Sequence, residues 1–154
     1  MSESELQVMV ADYLRMQYPN VLFHSDFGSG IKLTPGQAIK QKRQNGGRRS
    51  WPDMFIAEPK HGRKLVKVLG DEEATQFFFY SGLFIELKKE GTRIYKKDGS
   101  FASEHIEEQA KMLALLGAKG YKAVFGVGFE NTKEIIDNYL GGNNNEGQHQ
   151  RHAS

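Results

Sequence analysis

Cysteine is absent from this chain of 154 residues, which excludes a disulfide framework, thiolate zinc centres and cysteine nucleophiles. Long apolar runs are also missing. None approaches the roughly 20 residues needed to span a bilayer, so no membrane partner is expected. The opening Met1-Ser-Glu-Ser-Glu5 has neither a basic nor an apolar stretch, which argues against a secretory signal. The lack of disulfides agrees with a reducing cytosol, and the expected location is the cytoplasm of a bacterial or phage-infected cell. No Gly-x-x-x-x-Gly-Lys loop occurs, so no nucleotide cofactor is implied. There is no internal repeat. The net charge of +2 says little by itself, but its distribution is uneven. Positions 27–52 contain no acidic residue, while Lys32, Lys40, Lys42, Arg43, Arg48 and Arg49 all fall there. Interspersed glycines mark this basic stretch as a loop. Such an arm suits a phosphate backbone, where affinity comes largely from counterion release.

The apolar run Gly82-Leu-Phe-Ile-Glu-Leu-Lys88 carries the most chemistry. A strand here would put Glu86 and Lys88 on one face, with Ile85 and Leu87 pointing into the core. Burying an acid and an ammonium costs several kcal/mol unless something compensates. A divalent metal and a polyanionic substrate would do so. A second Glu-x-Lys, Glu58-Pro59-Lys60, has a proline at its centre and no strand to fix it.

Along the chain, a helix is expected from a Ser2 or Ser4 cap to the approach of Pro19, with Leu6, Met9, Val10, Tyr13 and Leu14 as its apolar face. Strands are expected at 21–24, 53–57, 82–88 and 123–129. Helices are expected after a Ser103 cap and over Thr132–Leu140, the first burying Ile106, Ala110, Leu113 and Ala114. A turn or two of helix could lie at 37–44. The segment 58–81 reads as a hairpin or a strand plus loop around Gly70-Asp71, and its Phe77-Phe-Phe-Tyr80 block reads as core, with a dimer contact as the other reading. The last strand, apolar throughout, is expected to be covered on both faces. The polar segment 142–154 should be a disordered tail. The fold class is α/β in the order α-β-β-β-α-β-α, helices flanking a mixed sheet, with one domain over 1–141.

Metal-dependent phosphodiester hydrolysis needs hard carboxylate oxygens and a nearby cation to place water or stabilise charge at phosphorus. Asp53, at the head of one strand, and Glu86, on a neighbouring one, could share an ion, with the Leu87 carbonyl as a third ligand and Lys88 facing the water. Gln109 falls on the same helical face as Ile106, Leu113 and Leu116, where it must find a polar partner. That partner is either a site or a strand end. His24 and His105 read as structural and exposed, respectively.

Pro52-Asp53, then Phe84-Ile-Glu86-Leu-Lys88, then Gln109 and the Gly120-Tyr-Lys-Ala-Val124 strand together resemble the VRR-NUC branch of the PD-(D/E)XK nucleases, over most of residues 3–129. The resemblance implies a restriction-endonuclease-like core. It implies Mg²⁺ or Mn²⁺ held by Asp53 and Glu86, Lys88 assisting the water, and Gln109 at the site. It also implies an acidic residue from the first helix, for which Glu5 is the match. Glu5 equally fits a capping box with Ser2. The departure from the family is the long separation of Asp53 from Glu86, filled by an insertion over about 60–78. It is tolerable if it loops out at the far ends of the two strands.

The expected activity is that of an endonuclease cutting four-way junction or other branched DNA as a homodimer. The alternatives are a flap or single-strand nuclease acting as a monomer, an inactive DNA-binding module, and an interaction protein using the aromatic segment.

Overall fold

The computed structural model describes residues 1–26 and 32–141; the expected tail at 142–154 and part of the basic arm, 27–31, lie outside them. The first helix, α1 (Glu3–Gln17), starts at Ser2. Ser2 Oγ accepts from Glu5 N while the Glu5 carboxylate accepts from Ser2 N, a reciprocal pairing that satisfies two otherwise orphaned donors. Then follow β1 (Phe23–Ser25), α2 (Pro35–Gln44), β2 (Met54–Ile56), β3 (Lys60–Leu69), β4 (Glu72–Tyr80), β5 (Leu83–Lys88), α3 (Glu104–Ala118), β6 (Lys122–Val127) and α4 (Gly128–Leu140).

Four strands form a mixed sheet in the order β1-β2-β5-β6. β1 and β2 are antiparallel, as are β2 and β5. β5 and β6 are parallel, and α3 supplies the crossover that a parallel pair requires. Leu83, Ile85 and Leu87 of β5 join Met54 and Ile56 of β2 on one face, packed against Leu6, Val10 and Leu14 of α1 and Ile136 and Tyr139 of α4. Tyr13 and Tyr18 both donate to Asp137 Oδ1, pinning α1 to α4. The opposite face carries Phe55, Phe84, Glu86 and Lys88, and α3 reaches it through Gln109 at Glu86.

Several expectations are revised. In α1, Met9 is 38% exposed, and Gln7 lies with Leu6, Val10 and Leu14 on the buried face. In α3, Ala114 is exposed while Gln109, Met112 and Leu116 are buried, because the stripe that meets the sheet is rotated about the helix axis, away from Ala114. The final strand stops at Val127, where Gly128 takes φ +75° and opens α4. As expected, β6 has a helix on each face, α4 on the core side and α3 on the other. It is an edge strand of the sheet, mostly half-buried.

The largest revision concerns 60–80. β3 and β4 form a separate antiparallel two-stranded ribbon, so the hairpin reading holds and the core reading does not. Phe77 is 76% exposed and Phe79 60% exposed, because the ribbon pairs with no strand of the main sheet. Only its base is anchored. Tyr80 and Lys60 reach Tyr139, and Lys60 Nζ donates to the Asn138 carbonyl. Since Ile56 pairs with Leu83, the ribbon leaves the sheet at the end opposite Asp53 and Glu86.

One close approach ties the sheet to α4. A Cβ on Gly126 would lie 2.5 Å from Thr132 Oγ1 and 3.0 Å from Ile85 Cγ2, and Thr132 is fully buried. Gly126→Ala is therefore expected to cost about 2 kcal/mol through overpacking, measured by chemical denaturation.

Candidate active site

Asp53 stands one residue ahead of β2, and Glu86 lies in β5 where its partner strand begins, Met54 being opposite Ile85. The register therefore brings the two acids together. Asp53 Oδ2 accepts from the Leu87 N–H at 2.8 Å, which fixes one carboxylate against the other's strand. Asp53 is 8% exposed, Glu86 4% and Lys88 5%. All three belong to the small set of buried charged groups among the described residues.

Gln109 arrives from α3. Its Nε2 donates to Glu86 Oε1 at 2.6 Å, so the polar partner it needed is the site itself. Lys88 Nζ lies 3.9 Å from Glu86 Oε1 and 3.9 Å from Glu3 Oε1. Glu86 Oε2 and Gln109 Oε1 are buried with no hydrogen-bond partner among the described residues. Burial first, and the Asp53 carboxylate second, raise the Glu86 carboxyl to about 9 against the opposing Lys88 ammonium. A protonated Glu86 agrees with the long 3.9 Å separation from Lys88, which is weak for an ion pair.

The arrangement is thus two adjoining acids, one donorless oxygen, and an ammonium alongside. It fits a hard divalent cation, which takes oxygen ligands and would replace the proton. No group of three or more His, Cys, Asp or Glu suited to a metal occurs among the described residues. A cation here would draw on the two carboxylates, backbone oxygen and water.

Asp53, Glu86 and Gln109 open into a cavity of about 630 Å³ lined also by Glu3, Asp26, Lys42, Arg48, Arg49, Trp51 and His105. Of the basic candidates, Lys42, Arg48 and Arg49 line it; Lys32, Lys40 and Arg43 are exposed and do not. The arm is not all loop. α2 begins with a second capping box, Thr34 with Gln37, and has Pro at its first turn. The signal Thr-Pro-Gly-Gln was present in the sequence.

Glu5 is not brought to the site. Its carboxylate is spent on the capping box, and Glu3, from the same turn, reaches Lys88 instead. Glu3 and Gln7 are four apart and so share a helical face. Gln7, donating to Ser25 Oγ and the Asp26 carbonyl, marks which face of α1 looks toward the site. That polar residue among apolar ones was the available clue. Trp51 and His105 carried no comparable signal.

No family model matches the sequence, and no curated protein matches it either. Among solved structures, a VRR_NUC domain protein is similar at 24% identity, over 91% of this chain and 88% of that one, with a TM-score of 0.55. The fold is a VRR_NUC fold. Within it, the mixed sheet flanked by helices is the scaffold that sets Asp53 and Glu86 face to face. No helix among the described residues is long and apolar enough to cross a membrane.

Proposed function

We propose that the protein is a divalent-metal-dependent endodeoxyribonuclease of the PD-(D/E)XK type. One observation carries the reading: two buried carboxyl groups, one with a donorless oxygen, stand beside a buried ammonium and line a cavity that Lys42, Arg48 and Arg49 also line. Asp53 and Glu86, with the Leu87 carbonyl as a third ligand, would hold Mg²⁺ or Mn²⁺. Such an ion supplies Lewis acidity toward water and phosphoryl oxygen.

The chain's own residues do the rest. Gln109 fixes the orientation of Glu86 through its 2.6 Å hydrogen bond. Lys88, held between Glu86 and Glu3, places and stabilises the attacking water or the charge developing at phosphorus. Lys42, Arg48 and Arg49 bind backbone phosphates at the cavity, and Lys32, Lys40 and Arg43 extend that contact along the arm. A merely DNA-binding module would gain nothing from burying Asp53, Glu86 and Lys88 together at the cost such burial carries.

The substrate in this reading is branched DNA, four-way junctions included, cut by a homodimer because two symmetric strands call for two sites. The ribbon offers a surface for self-association, with Leu65 68% exposed and both Phe77 and Phe79 more than half exposed. A two-stranded ribbon is marginal by itself and gains from being covered. Phe77→Asp combined with Phe79→Asp is expected to leave the fold intact and to yield monomers in sedimentation, with paired incision of junctions lost. An unchanged sedimentation coefficient would remove the ribbon from the interface.

The activity itself is tested on labelled duplex, flap and four-way junction DNA with Mg²⁺ or Mn²⁺. Wild-type protein should cut at least one branched substrate and Glu86→Ala none. If both are inert on every substrate yet bind DNA, the nuclease reading fails.

A further inference from the structure

Trp51 is the chain's one tryptophan, and it is 39% exposed on the wall of the cavity that holds Asp53 and Glu86. It is the outer end of an aromatic row on the α3 face of the sheet. Its ring lies 6.3 Å from Phe84, which stacks on Phe55 at 4.5 Å and meets Tyr121 edge-on at 5.1 Å. Phe84 is two residues before Glu86, and Trp51 is two before Asp53, so each aromatic sits beside one of the two acids. The row supports the indole from behind and leaves part of it toward the cavity.

The backbone holds this position at a cost. Ser50 has φ +63°, a left-handed conformation that non-glycine residues rarely adopt and that costs on the order of 1–3 kcal/mol. Pro52 restricts Trp51 from the other side. A strained residue and a proline thus bracket the tryptophan, leaving the indole little freedom of direction. Ile39 of α2, 64% exposed, lines the same cavity and adds a second apolar side chain there. Around them, Lys42, Arg48 and Arg49 provide cations for phosphates. An exposed indole among phosphate-binding cations suits a nucleobase, since every base has a face that stacks on an aromatic ring. A base still paired within a duplex has both faces covered and cannot use it.

We propose that Trp51 is a stacking platform for an unpaired nucleobase next to the scissile phosphate. Trp51 thereby selects DNA that carries an unstacked nucleotide at the cut, as a branch point or gap does, over continuous duplex. This rests on the nuclease reading of the same cavity and adds to it the feature of the substrate that is recognised.

Having a single tryptophan makes the test direct. Intrinsic fluorescence of the full-length protein is followed, in chelator and again in Ca²⁺, as unlabelled oligonucleotides are added: a continuous duplex and the same duplex with a one-nucleotide gap or a flap. Binding is measured in parallel by anisotropy of labelled DNA. Quenching by the gapped and flapped DNA that exceeds quenching by duplex at equal occupancy supports the proposal. Trp51→Ala should then weaken binding of the gapped DNA about tenfold, with duplex binding unchanged and Trp51→Phe largely restored. If both DNAs bind by anisotropy while the emission of wild type stays the same, the stacking role is overturned and the nuclease reading stands. Equal quenching by both DNAs overturns the selectivity. If neither DNA binds and neither is cut with Mg²⁺ or Mn²⁺, both readings fall together. The wild-type fluorescence decides the matter even if the alanine variant does not fold.

Discussion

Glu86→Gln is expected to make the metal-free protein more stable while abolishing its activity. Burial and the neighbouring Asp53 carboxylate raise the Glu86 carboxyl to about 9 in the folded state, against about 4.3 in the unfolded chain. Below the lower value both states hold the proton, and the group adds no pH dependence. Between the two values only the folded state holds it, so the unfolded chain binds fewer protons and stability falls as pH rises. Above the folded value the loss is complete. The amide removes this slope. It can still accept from Gln109, and its NH₂ offers Asp53 a donor that the ionised acid cannot. At mildly alkaline pH the gain should be about 2 kcal/mol, or on the order of 5 °C in Tm. Near pH 4 the two proteins should melt together. Thermal melts in chelator across that range decide it, and a Glu86→Gln variant that melts lower than wild type at alkaline pH would contradict the account. Activity should be lost because the proposed metal site would lack one of its two carboxylates.

Lys88→Met carries the second large effect, and it falls on chemistry rather than binding. Lys88 is the buried cation of the described residues. It lies equidistant from Glu86 and Glu3, well placed to act on charge developing between them. Removing such a preorganised donor costs about 10²–10³ in rate. Single-turnover cleavage should slow by that much, while DNA affinity stays within about threefold, since phosphate contacts come from other side chains. Lys88→Arg is not expected to rescue, because a planar guanidinium does not occupy the slot of a compact ammonium. If Lys88→Met weakens binding and leaves the rate of bound substrate alone, Lys88 belongs to the DNA-binding surface instead.

The part of the site carried by a regular strand was legible in the sequence. Phe84-Ile-Glu-Leu-Lys alternates about a core face, so Glu86 and Lys88 had to share the other. Gln109 was legible for the same kind of reason: a polar residue within an apolar helical stripe must find a partner. What was not legible depended on where elements end or point. Glu3 and Glu5 lie in one turn of α1, and only the cap geometry shows that Glu5 is used up while Glu3 is free to face Lys88. The Phe77–Tyr80 block is as apolar as a core strand. Its exposure follows from the ribbon's failure to pair with the main sheet, a long-range fact that no local pattern encodes. Trp51 depends on the left-handed Ser50 and on the aromatic row behind it, neither of which has a spacing to read.

The claim that Asp53 and Glu86 form a divalent-metal site is tested most directly by calorimetric titration of Mn²⁺ into the metal-free protein at neutral pH, in two buffers of different ionisation heat. The account predicts binding by the wild type with release of close to one proton per ion at this site, because Glu86 is held protonated until the ion enters. Asp53→Asn and Glu86→Gln should each bind at least about a hundredfold more weakly, beyond the 10- to 100-fold that loss of a supporting partner costs. Wild-type binding without proton release, or equal affinity in all three proteins, would contradict it.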